Sequence, residues 1–258
     1  MHIEIQDRDQ NIIRQSVDCG YGCALVHQAA YNEGDQIVIH VPVSGLYSIQ
    51  LDETLGSHVV YLQREACYAI PLQPALRTCY PVQAFLGSVH LLTLARVGQT
   101  TIRNLALNPY DHHHTQGIFP HAKANVETRG EMVFAARNAI DGNHANHSHG
   151  NYPFESWGIN QDPKAELTLD FGRPVRIDEI RLTLRADWPH DSWWTEASVT
   201  DDTGETYTLA LQKDALPQRF PIKKKVVTSL TLHDLKKDER DPSPFPALTQ
   251  IEVWGVEA

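Results

Sequence analysis

From Asp35 onward the chain runs in short apolar segments whose large residues alternate with polar ones: QIVIHVPV, GLYSIQLDE, HVVYLQ, ACYAIPL and VHLLTLARV. Alternation with period two places every second side chain on one face, which suits a half-buried antiparallel strand and no helix. Gly, Pro and Asp punctuate the segments at turn positions. A second series follows residue 130: AELTLDFG, RIDEIRLTLRAD, TEASVTDD, ETYTLALQ, KVVTSLTLHDL and TQIEVWGV. The tetrad from Asp201 to Gly204 separates two of these and reads as a hairpin turn. Between the series the periodicity fades in a stretch rich in Pro, Gly, Asn and His. The pattern predicts an all-β protein of two β-sandwich domains, residues 1–108 and 130–258, joined by a linker or extended loop over 109–129.

The 258 residues, 41% of them hydrophobic, suffice for two packed cores. A formal charge of −10 disfavours nucleic acid and anionic membrane surfaces, which select clustered Lys and Arg. Lys223–Lys225 form the one basic run, expected as a solvated turn or protected sheet edge. The charged N-terminus shows no apolar signal segment, and no stretch reaches the length of a membrane span, so the expected location is cytoplasmic. Cys19, Cys23, Cys67 and Cys79 are then expected as free thiols.

The second half resembles the discoidin, or coagulation factor 5/8 type C, domain. This is the galactose-binding-like jelly roll shared with carbohydrate-binding modules. The resemblance rests on the order NAIDGN, SWGIN, AELTLDFG, RIDEIRLTLRAD and SPFPALTQIEVWG, from about Phe134 to Gly255. It implies a discoidin-like jelly roll with a binding role and, in many relatives, a structural calcium held by the positions that Asp141 and Glu252 occupy here. It also singles out Arg185, at the end of a strand where relatives carry a ligand-binding arginine. Trp157 occupies the aromatic position near the site. Relatives often follow that aromatic with His, whereas this chain has Gly158.

The residues themselves point to a sugar. A carbohydrate offers flat C–H faces bordered by hydroxyls, and its site needs an aromatic plate beside planar hydrogen-bonding groups. RADWPHDSWW, residues 185–194, supplies Arg185, Asp187, His190 and Asp191 together with Trp188, Trp193 and Trp194. Extended backbone sends Trp193 and Trp194 to opposite faces, so one of them is expected in the core. His144 lies in a polar loop, 141–157, expected at the same end of the domain. The histidines of that loop and His112, His113, His114 and His121 lack the spacing of a metal motif.

The expected function is non-catalytic carbohydrate binding, with no required cofactor. Two alternatives stay open: a carbohydrate-active enzyme using Asp187, Asp191 and Glu155 as carboxylates, or an interaction module that forms a homodimer through exposed sheet edges.

Overall fold

The computed structural model describes residues 1–18, 20–98, 101–186 and 192–258. Its strands are β1 (His2–Gln6), β2 (Ile12–Gln15), β3 (Gly22–His27), β4 (Gln36–His40), β5 (Gly45–Gln50), β6 (His58–Ala69), β7 (His90–Arg96) and β8 (Arg103–Asn104). They continue with β9 (Gln116–Phe119), β10 (His121–Ala124), β11 (Trp157–Gly158), β12 (Leu167–Leu184), β13 (Trp194–Asp201), β14 (Thr206–Ala210), β15 (Gln218–Lys237) and β16 (Ala247–Glu257). The helical turns described are short 3₁₀ pieces, and among the described residues no helix is long and apolar enough to cross a membrane.

All described pairings are antiparallel and fall into two sheets, in the orders β2-β1-β4-β6-β5-β7-β3 and β11-β16-β12-β15-β13-β14. Each sheet covers its own core. Ile3, Ile5, Ile37, Ile39, Val60 and Leu62 belong to the first, and Leu167, Leu169, Ile180, Leu182, Leu230 and Leu232 to the second. The all-β class is therefore what the alternation dictated: inward residues of each strand meet across a sheet face, and burial of that face drives the fold.

The expected linker is structured. Within 109–129, β9 pairs with β6 of the first sheet and β10 with β12 of the second, and just before this stretch β8 pairs with β16 of the second. Tyr110 and Ile118 enter the first core, while Leu105, Ala106 and Ala122 enter the second.

The longest surprise is β12, whose eighteen residues had read as two strands. Its buried apolar positions are Leu167, Leu169, Phe171, Val175 and Ile177, then Ile180, Leu182 and Leu184. The phase slips by one between Ile177 and Glu179, where the register shifts against both β15 and β16. One extra residue in a strand reverses which side chains face inward, and the bulge restores the core face. The Asp201–Gly204 turn joins β13 to β14 as expected, with Gly204 at φ 86°. The lysine run lies inside β15, and Lys225 is ion-paired to Asp201 at 2.6 Å and Glu205 at 2.7 Å. Cys67 and Cys79 are free thiols; Cys19 lies outside the described residues.

Candidate functional site

Arg185 follows directly on β12, and its backbone N–H still pairs with Ala247 O at 3.0 Å. The side chain is buried, 1% exposed. Its guanidinium donates to Phe154 O at 3.0 Å, to Ser156 Oγ at 3.3 Å, and to Ser148 O. Carbonyl and hydroxyl acceptors from the 148–156 loop thus converge on one planar cation, which fixes the loop against the end of the sheet.

Beside this anchor opens a cleft of about 190 Å³, lined among others by Arg129, Phe134, Asn160, Gln161, Phe245 and Arg185 itself. Three of its lining residues adopt left-handed backbone without being glycine: Arg129 (φ 55°), Asn160 (φ 48°) and Gln161 (φ 61°). Each such residue costs roughly 1–2 kcal/mol, so its conformation is imposed by its surroundings. The imposing contact is visible: Asn160 N donates to Thr128 Oγ1 at 2.9 Å, tying the 159–161 turn to the 128–130 turn. Arg129 is held by Glu131, with Nε and Nη2 each 2.7 Å from a carboxylate oxygen, and its guanidinium lies 5.2 Å from the Phe134 ring centroid. Phe245 is 43% exposed.

The departure at Gly158 has a steric cause. A Cβ there would lie 2.6 Å from Thr128 Oγ1 and 3.3 Å from Phe134 Cβ. Only glycine lets the two turns meet under the cleft.

Two expected sugar plates are core residues instead. Trp157 is fully buried in β11 opposite Leu248, and its Nε1 donates to Val126 O at 3.0 Å. Trp194 is also fully buried, its ring centroid 6.5 Å from that of Trp157. Neither indole has a face to offer. Trp193, just before β13, is half-buried and packs at the margin of the same core. Asp187, Trp188, His190 and Asp191 lie outside the described residues.

His144 is half-exposed beside β16, with Nε2 3.4 Å from Glu252 Oε1. Glu252 also accepts from Trp254 Nε1 at 2.6 Å and lies 3.8 Å from Arg181. Asp141 accepts from Asn143 N at 2.9 Å and from Gln250 Nε2 at 2.8 Å, with Arg137 at 3.6 Å. Each carboxylate expected at a calcium thus already faces an arginine of this chain. Burial pushes the Asp141 carboxyl upward, and the neighbouring Glu155 adds to that while Arg137 opposes it. Glu155, a candidate catalytic carboxylate, is buried and bonded to Asn143 Nδ2 at 2.9 Å.

The linker histidines are separately engaged. His121 meets Asp111 at 2.5 Å and His113 meets Glu127 at 2.9 Å, contacts that raise both imidazoles above their ordinary value. The residues missed from sequence are Arg129, Phe134, Gln161 and Phe245. Only Asn160 carried a local signal, the tolerance of asparagine for left-handed backbone.

No protein-family model matches the chain, and no curated protein matches it. Among solved structures it is similar to chitosan-binding module 1 of a chitosanase/glucanase from Paenibacillus sp. IK-5, at 16% identity and TM-score 0.43 over 59% of this chain and 99% of that one. It is also similar to the family 32 carbohydrate-binding module of C. perfringens NanJ in complex with galactose (17%, TM-score 0.40, 52% and 91%). A third is a Streptococcus pneumoniae fucose-binding module (12%, TM-score 0.41, 60% and 99%).

Proposed function

We propose that this chain binds carbohydrate without transforming it, and that the ligand enters the cleft beside Arg185. The observation that carries the reading is the meeting of three strained, non-glycine residues, Arg129, Asn160 and Gln161, in one cleft flanked by Phe134 and Phe245. Strain is retained where a precise arrangement is needed, and here it presents two amides and a guanidinium beside aromatic surface. Amides both donate and accept, as sugar hydroxyls do, and aromatic faces suit the apolar C–H side of a pyranose. Arg185 acts by holding the loop wall rather than by reaching out.

A cavity of roughly 150 Å³ accepts a six-membered ring such as benzene. At about 190 Å³ the cleft suits one sugar ring, so a terminal residue is the expected epitope. A structural calcium at Asp141 and Glu252 forms no part of the proposal, since each carboxylate is engaged by an arginine.

The test is calorimetric titration with a panel of monosaccharides, on the wild-type chain and on Asn160→Ala and Phe245→Ala. Binding of at least one sugar, weakened about tenfold or more by both substitutions, is the expected result. Binding to none, or binding indifferent to both, overturns the site.

A further inference from the structure

The opening residues, MHIEIQ, form β1, which pairs with β4 so that His2 stands directly opposite His40. Opposed residues on antiparallel strands share a face, as do residues two apart on one strand, so Glu4 joins both histidines. The two imidazoles stack, with ring centroids 4.5 Å apart and an interplanar angle of 23°. Both present Nε2 to the same carboxylate: His2 Nε2 lies 3.2 Å from Glu4 Oε1, and His40 Nε2 lies 3.6 Å from Glu4 Oε2.

Hydrogen bonding alone leaves this arrangement incomplete. The His40 distance exceeds a hydrogen bond, and its Nε2 is a buried atom with no hydrogen-bond partner. An ion explains the spacing better. Ligand atoms held at about 2.1 Å around a tetrahedral centre lie about 3.3–3.5 Å from one another, and all three ligand atoms here lie within 4.8 Å of each other.

The surroundings have the form of an outer ligand shell. Glu65, opposite His40 on β6, places Oε2 3.6 Å from His40 Nδ1, a charge contact beyond hydrogen-bond reach that adds negative potential beside the ring. Gln6 Nε2 donates to Glu4 Oε2 at 2.8 Å and steadies the carboxylate. The His2 and His40 side chains are 25% and 30% exposed, which gives an ion access and leaves room for a fourth ligand such as water.

We propose that His2, Glu4 and His40 form a binding site for a divalent transition metal of the zinc class, on the first sheet and separate from the cleft. Two imidazoles and one carboxylate suit such an ion, whereas calcium and magnesium favour all-oxygen sets. Bound there, the ion joins β1 to β4.

The test is titration of the untagged, chelator-treated chain with zinc chloride near neutral pH, read by calorimetry. One equivalent is expected to bind wild type. That equivalent is lost in His2→Ala and in His40→Ala. No bound zinc in wild type, or an equivalent that survives both alanine substitutions, overturns the site. Circular dichroism verifies the fold of the variants. Should either fail to fold, wild type decides the matter through mass-spectrometric mapping of diethyl pyrocarbonate modification. Zinc shields His2 and His40 if the site exists and leaves them as reactive as before if it does not.

Discussion

The Arg137 guanidinium lies 4.5 Å from the centroid of the Tyr80 ring. This joins a residue of the second half to an aromatic of the first core. Its nitrogens also donate to Asp111 O and Pro109 O, both at 2.8 Å, and to Cys79 O at 3.2 Å. Arg137 is 3% exposed, so each acceptor would be left unmatched in the interior without it. Arg137→Ala is expected to lose about 3–5 kcal/mol and to separate the unfolding of the two cores. Scanning calorimetry of wild type should show one transition, and of the variant two.

His112 sits at the same junction, edge-on to Tyr68 at 4.7 Å. Burial, reinforced by Arg137, pushes its imidazole down to about 3. The unfolded chain therefore takes up a proton near pH 6.5 that the fold refuses. The fold is favoured fully above that value and progressively less as pH falls toward 3, by about 1.4 kcal/mol per pH unit. Between pH 6.5 and pH 5 this one group should cost about 2 kcal/mol. His112→Phe should flatten that slope, measured as urea midpoints at the two pH values. His113 and His121, raised by their carboxylates, act with the opposite sign: their contribution is complete below about pH 6.5 and fades as pH rises through their folded values.

The strands were legible because alternation is local, and burial of one face follows from it. What escaped were consequences of contacts far apart in sequence. Asp170-Phe171-Gly172 read as the end of a strand, yet β12 continues through Gly172, whose φ of 66° bends the chain past the Phe119 ring. A Cβ there would meet that ring at 2.4 Å. The tryptophans show the same limit. The family resemblance singled out Trp157, and the aromatic 185–194 loop offered Trp194, as surface for a ligand, but the pairing of β11 with β16 turned Trp157 inward. Nothing local distinguishes Arg129 or Gln161 from any other polar loop residue; their backbone is set by the Thr128 contact.

The terminal glycine of IEVWG is explained by the β12 bulge. Gly255 faces Ile177, where the extra residue pushes the Arg176 carbonyl toward β16. A Cβ on Gly255 would lie 2.1 Å from that oxygen and 2.9 Å from Ile177 Cα. Backbone cannot yield as a flexible side chain does, so Gly255→Ala should lose about 1–3 kcal/mol. Chemical denaturation measures this. A loss below a few tenths would mean that the bulge relaxes freely.

Gly158 connects the fold to the cleft, and its substitution separates space from hydrogen bonding. Gly158→Ala would drive a methyl group against Thr128 Oγ1, the atom that accepts from Asn160 N and holds the strained turn. Thr128 would have to move, releasing Asn160 and Gln161 from the left-handed conformation that presents them. Sugar affinity in calorimetric titration is expected to fall tenfold or more, about 1.4 kcal/mol. Thr128→Val keeps the shape of the side chain while removing the acceptor, so it leaves the space under Gly158 unchanged. If the turn is held by the hydrogen bond, this variant loses affinity as well. If it binds sugar like wild type while Gly158→Ala does not, close packing alone sets the geometry of the cleft.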